Sequence, residues 1–348
     1  MTRAAAFTAE LVRSSSRGLA GLACALLFER TANAQEQYGE DGFDSWRQTL
    51  AARLQALASA LESGDQAIFT EDLHWFQGVS VTRGIPKSDV LLAVDCLNET
   101  VRSQLPEETG DAVAPYFASA IEKLNTSTEL PPEFDAGSEA SSLFDLALIG
   151  DLGGARHFLL DGIRAGRFTV QMAVTDIILP AAREAGRRWH LGQMGIAAEH
   201  VITATLRSAL HSLTAVLPKP PPNGKAAFIA AVPGDAHDTG LIAFALLLEA
   251  DGWRVALAGA DTPTEEVDVT AAGYECDLIA LSATLPSQRY ALSSYLSRRD
   301  SEIPVMVGGA AVRGEEDAKA MGARGFAISL SRGVTVARKL VGLDATGA

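Results

Sequence analysis

Between residues 5 and 124 apolar positions recur at three- and four-residue spacing, as in Phe43, Trp46, Leu50, Leu54, Leu57 and Leu61. That period puts one stripe of each segment on a single face and predicts amphipathic helices. Gly64, the Gly84-Ile85-Pro86 turn and Pro106 punctuate the run, and no strand-like alternation stands out. The polar stretch from Asn125 to Gly137, with Pro131-Pro132, predicts a linker. Helical spacing resumes from Ser138 to about Leu217, in segments near 139–149, 152–165, 168–191 and 195–216. Four helices joined by short turns suit a four-helix bundle. The proline-rich stretch from Pro218 to Gly224 marks a second linker.

From Lys225 the pattern changes. Short apolar runs at 226–232, 254–260, 277–283, 304–310 and 325–330 read as buried strands, alternating with helical stretches such as 241–252. This alternation predicts a doubly wound parallel sheet of Rossmann-like (flavodoxin-like) type. Ligands of such sheets sit at the carboxyl ends of the strands. The expected organisation is multidomain, α and α/β: a helical domain at 1–128, a bundle at 138–217 and the sheet domain at 224–348.

Charge and cysteine content narrow the chemistry. The formal net charge is −14, which argues against direct nucleic-acid contact and suits a protein partner. Cys24, Cys96 and Cys276 are odd in number and widely spaced, so neither a disulfide framework nor a zinc site is expected, and a reducing cytoplasm is the simplest compartment. Residues 18–28 form an apolar run behind arginines, and Ala32-Asn33-Ala34 resembles a signal-peptidase site. Glu10 precedes the run and Glu29-Arg30 end it, and the run itself falls short of the ~20 residues that span a bilayer. It reads as a packed helix, with no membrane partner. Carboxylates are numerous, but no pair has a distinctive catalytic setting, so a binding or sensing protein is expected rather than an enzyme.

The first predicted strand of the sheet runs into Gly234-Asp235-Ala236-His237-Asp238-Thr239-Gly240. A neutral imidazole is a good transition-metal ligand, and Asp235, two residues earlier, can take the proton of its other ring nitrogen. Asp-x-His-x-x-Gly here resembles the cobalamin-binding motif of methionine synthase, corrinoid methyl carriers and B12-dependent mutases. Ser282 follows Gly240 after the intervening residues 241–281, the family's usual spacing, and Gly308-Gly309 follows the next strand. The family's Ser-x-Leu is Ser282-Ala283-Thr284 in this chain, and the spacing to Gly308 is slightly short. The resemblance implies that His237 is the lower ligand to cobalt and that the dimethylbenzimidazole tail enters the sheet. Gly240, Ser282, Thr284, Gly308 and Gly309 would line its path, with Asp238 in the cofactor loop. The bland alternative is a surface histidine in an unrelated sheet domain. A response receiver has a similar sheet, but the three-acid pocket and strand-end lysine of that family are not found at their places.

Within the bundle, Trp189 is followed after nine residues by Glu199-His200. Trp-x9-Glu-His directly before such a domain resembles the cap of the CarH-type photoreceptors. That resemblance implies adenosylcobalamin as cofactor, with Trp189 against the adenosyl group, Glu199 on its ribose and His200 able to reach cobalt once that group leaves. The alternative is that Trp189 is bundle core and Glu199 a solvated residue. No basic helix-turn-helix precedes the cap. Instead, FTEDLHWFQGVSVTRGIP (69–86) is similar to modules of the photocobilins, which pair cobalamin with biliverdin. His74, Trp75 and Arg83 are the residues this implies for a bilin. Equally, His74-Trp75-Phe76 can straddle a helix–helix contact. His157, His190 and His211 are isolated.

The resulting expectation is a cobalamin-dependent photoreceptor, possessing a cofactor- and light-dependent homo-oligomeric state and acting on a separate output protein. A corrinoid methyl carrier of a methyltransferase system and a light-independent cobalamin-sensing regulator are the alternatives.

Overall fold

The computed structural model describes residues 3–126 and 137–343. Most of the predicted linker 125–137 therefore lies outside the described residues. The chain forms two compact units, one of Met1–Pro131 with His190–Gly192, the other of Pro132–Trp189 and Gln193–Ala348.

The first unit is all helical: α1 (Arg3–Arg30), α2 (Ala34–Tyr38), α3 (Gly42–Ser63), α4 (Gln66–Thr82), α5 (Lys87–Gln104) and α6 (Glu107–Thr126). Its core is the stripe legible in the sequence: Trp46, Leu50, Leu54, Leu57 and Leu61 of α3 are buried with Phe69, Leu73, Leu97 and Phe117. Gly64, at φ 71°, closes α3 in the left-handed conformation, and the Asp65 carboxylate caps α4 by accepting from the Ala67 amide. The apolar run 18–28 belongs to a longer helix than the run itself. By length and composition alone α1 is apolar enough to cross a membrane, but Val12, Leu19, Ala20, Ala23, Cys24 and Leu27 are buried in this core. Covering that stripe requires the partners α3 and α5, which pack against α1.

The second unit opens with helices α7 (Ser138–Leu148) and α8 (Leu152–Arg164). A third helical run passes from α9 (Val170–Met172) through a π-helical segment, Ala173–Ile178, into α10 (Leu179–His190). Then comes α11 (Ile196–Ser212). These are the helices expected from the four apolar segments. The sheet follows: β1 (Ala226–Ala231), α12 (Thr239–Ala250), β2 (Arg254–Gly259), α13 (Thr264–Gly273), β3 (Leu278–Ser282), α14 (Arg289–Arg298), β4 (Val305–Gly308), α15 (Glu315–Ala320), β5 (Gly325–Phe326) and α16 (Leu330–Leu340). All pairings are parallel, and the strand order is β2-β1-β3-β4-β5. The order reverses between β1 and β3, which opens a crevice at their carboxyl ends.

Both faces of β1 are covered. Phe228 and Ala230 join one core, Ala227, Ile229 and Ala231 another, as strand alternation requires. Helix α12 is apolar all round because it is covered twice. Ile242, Leu246 and Leu247 pack with the bundle, while Leu241, Phe244 and Leu248 pack on the sheet. Each of these side chains contributes about 1.5–3 kcal/mol by leaving water.

Two strand expectations are corrected. β2 is not a buried strand: as the sheet's edge it pairs with β1 alone, and it is largely exposed or half-buried. β5 covers two residues rather than the run 325–330, because the Ser329 hydroxyl accepts from the Arg332 amide and starts α16 there.

Candidate cobalamin site

Asp235 and His237 lie on the loop between β1 and α12, at the β1 side of the crevice. The Asp235 side chain is fully buried, and its Oδ1 lies 2.8 Å from His237 Nδ1 and accepts from the His237 amide at 3.0 Å. Its Oδ2 accepts from the Thr284 amide at 2.9 Å, so one carboxylate joins the β1 and β3 loops. Burial pushes the Asp235 pKa up, but hydrogen bonding with the His237 ring and amide and with Thr284 outweighs it and holds the carboxyl below its ordinary range. The hydrogen bond to Asp235 raises His237, burial opposes, and the charges of Asp235, Glu199 and Asp238 raise it further. With the Nδ1 proton on the Asp235 bond, Nε2 keeps its lone pair for a metal. The His237 side chain is 58% exposed, open to a ligand rather than sealed in the core.

Beside His237 a cavity of about 180 Å³ runs into the sheet, lined among others by Gly240, Ser282, Thr284, Gly308 and Gly309. Ser282 Oγ is buried there without a hydrogen-bond partner. A buried hydroxyl in that condition costs about 1–3 kcal/mol and is satisfied by a polar group entering the cavity. A Cβ at Gly240 would meet nothing within 4 Å, and one at Gly308 would meet only Ala327, so both glycines leave open space. Gly309 differs: φ is +90° and a Cβ would overlap the Ala283 carbonyl, so here the backbone itself requires glycine. An imidazole with a buried carboxylate behind it and a cavity lined by an orphaned hydroxyl fit a corrinoid with an inserted tail.

Asp238 does not line this cavity and pairs with Arg207 of α11, Oδ2 to Nη2 2.5 Å, which ties the bundle to the loop between β1 and α12. On the same helix Thr203 donates to Glu199 Oε1 at 2.5 Å, and Glu199 Oε2 lies 3.7 Å from His200 Nε2. The His200 side chain is 73% exposed. Trp189, near the end of α10, is half-buried.

The residues considered for a bilin are only partly brought together. Trp75 and Arg83 line a cavity of about 550 Å³ in the first unit with Tyr38, Trp46, Arg53 and Phe76, whereas His74 is not among its lining residues. Arg53 lies 5.3 Å from the Phe76 ring centroid and 2.8 Å from buried Asp72, whose pKa burial pushes up to about 6 against the pull of Arg53. Sequence reasoning missed Arg53, Arg207 and Gln288. The aromatic partners of Arg53, Trp75 and Phe76, lie more than twenty positions away, so no local signal marked it.

Residues 140–214 and residues 226–331 each match a B12 binding domain model. The chain is 33% identical over 147 residues to the HTH-type transcriptional repressor CarA of Myxococcus xanthus, covering 41% of this chain and 49% of that protein. It is 28% identical over 148 residues to the repressor CarH of the same organism, with the same coverage. The chain thus spans about half the length of the curated relatives it matches. The monomethylamine corrinoid protein of Methanosarcina barkeri shares the fold, with a TM-score of 0.51 at 21% identity over 57% of this chain and 96% of that one. Both relatives are named as transcriptional repressors, so the expectation against nucleic-acid contact, which rested on net charge, is not carried forward. The matches over 140–214 and 226–331, with the likeness to CarA and CarH, support a cobalamin-binding portion that takes a corrinoid.

Proposed function

We propose that the chain is a cobalamin-dependent photoreceptor that holds adenosylcobalamin between the bundle (138–217) and the sheet domain (224–348), with His237 as lower ligand. The observation that carries this is the Asp235–His237 pair beside a cavity lined by the unpartnered Ser282 hydroxyl, preceded by Trp189 and Glu199-His200. Asp235 would fix the ring, Ser282 would meet the polar edge of the tail, and Gly308 and Gly309 would let the tail pass close to backbone. Trp189 and Glu199 would hold the adenosyl group, and His200 would offer cobalt a second imidazole once that group is gone. Adenosylcobalamin supplies a weak, photolabile cobalt–carbon bond. Arg207, held by Asp238, passes a movement of α11 to the loop that carries His237. Output then runs through a changed oligomeric state or a separate protein.

The helical domain at 1–128 we read as the module for a second chromophore, biliverdin. A cavity of about 550 Å³ lies within the ~300–1,000 Å³ typical of small-molecule sites, and Arg53 and Arg83 offer cations for propionates among aromatic walls.

Absorption spectra of the purified chain with adenosylcobalamin and with biliverdin, before and after green and red light, test this. The expected result is an irreversible change of the cobalamin bands under green light, faster than in free cofactor and altered in Trp189→Ala, together with a red-absorbing bilin band. Bands that change no faster than free cofactor remove the photoreceptor. They leave the same His237 chemistry to a corrinoid methyl carrier or a light-independent cobalamin sensor.

A further inference from the structure

We propose that Gln288 is a positioning residue for the lower ligand: it clamps the β1 and β3 loops together and so sets where His237 is presented. This rests on the reading of His237 as the cobalt ligand.

Gln288 is 5% exposed and sits just before α14, outside the motif residues. Its side-chain amide is used at both ends. Oε1 accepts from the Thr284 amide at 2.9 Å and the Leu285 amide at 2.8 Å, and Nε2 donates to the Gly234 carbonyl at 2.9 Å. Gly234 directly precedes Asp235. The Thr284 amide is shared between Gln288 Oε1 and Asp235 Oδ2. One side chain thus holds the backbone on which Asp235 is mounted and also the donor that fixes the far oxygen of its carboxylate.

The rest of that backbone is held from the other side. The Gly234 amide donates to Asp261 Oδ1 at 2.7 Å, and the Asp235 carbonyl accepts from the Asp261 amide at 3.0 Å. The Asp235 amide donates to the Val232 carbonyl. The Gly234 carbonyl has Gln288 as its side-chain donor. Losing Gln288 releases this corner of the loop and leaves Asp235 as the sole side-chain acceptor for Thr284. Partners behind a metal ligand typically change affinity 10- to 100-fold when removed. A clamp one step further back is expected at the lower end of that range.

Gln288→Met keeps the length and removes all three hydrogen bonds. Gln288→Asn keeps the chemistry but is one methylene short of spanning the two loops. Each is compared with wild type and His237→Ala by cobalamin titration and by electron paramagnetic resonance of bound cob(II)alamin in protein labelled with nitrogen-15 histidine. Amide hydrogen exchange at Thr284 and Leu285 is measured in the cofactor-free protein. The expected result is a dissociation constant about tenfold higher, a smaller share of histidine-ligated cobalt even at saturation, and faster exchange at both amides. A merely structural role would move the dissociation constant but not the ligated share at saturation.

A folded Gln288→Met or Gln288→Asn protein with the wild-type share overturns the proposal. If Gln288→Met does not fold, Gln288→Asn decides alone. If both fail to fold, Gln288 is a core residue and the positioning role is rejected. Wild type without a histidine nitrogen signal instead overturns the ligand assignment of His237, which separates the two failures.

Discussion

Replacing Asp235 with asparagine is expected to weaken cobalamin binding about 10- to 100-fold. The carboxylate takes three donors, from the His237 ring, the His237 amide and the Thr284 amide. An asparagine amide offers one accepting oxygen and places an N–H group against one of these donors. If its oxygen faces His237, the Thr284 amide loses its acceptor on this side chain. If it faces Thr284, the imidazole is pushed to the other tautomer and Nε2 carries the proton. In the first case the ring keeps its tautomer, in the second the Nε2 lone pair is lost to a proton, and in both the charge that raises His237 is gone. The acid side of binding moves with it. His237 is raised above its ordinary value in the wild-type chain, so with His237 as the proposed ligand protons would compete with cobalt at a higher pH than for a free imidazole. In Asp235→Asn that competition shifts to lower pH while affinity at neutral pH falls. Titrations at several pH values check both, and unchanged affinity with an unchanged pH profile would contradict this account of the pair.

Gly309→Ala is expected to destabilise the second unit by about 3 kcal/mol or more. Two costs add. The backbone has φ +90°, where a Cβ is strained, and the new methyl would overlap the carbonyl of Ala283. That carbonyl accepts from the Ala311 amide, and Ala283 also donates to Gly308, so the clash falls on the join between β3 and β4. It also falls on the wall of the cavity assigned to the tail. Gly240→Ala is the control, since its Cβ meets nothing within 4 Å. Urea unfolding of both variants checks the difference, and a Gly309→Ala protein as stable as wild type would refute the steric argument.

What was legible in the chain was local. The spacing of Trp46, Leu50, Leu54 and Leu57 reports a helical face whatever packs on it, and these side chains are buried. The all-apolar run of β1 reports a strand covered twice, and its two faces are. Position within the sheet is a property of topology rather than of a segment. The run 254–260 therefore looks like a central strand, although β2 is the edge. The motif residues around His237 lie within one loop and can be read together. Arg207 and Gln288 cannot, because their partners Asp238 and Gly234 lie 31 and 54 positions away. Nothing in the neighbourhood of an arginine or a glutamine announces a hydrogen bond that tertiary approach alone creates.

The most direct test of the central claim is the identity of the nitrogen on cobalt. Cob(II)alamin bound to the chain made with nitrogen-15 histidine is examined by electron paramagnetic resonance. A nitrogen triplet in unlabelled protein that becomes a doublet on labelling, and that His237→Ala abolishes, is the predicted result. A triplet that survives labelling would mean that the cofactor keeps its own base, and His237 would not be the ligand.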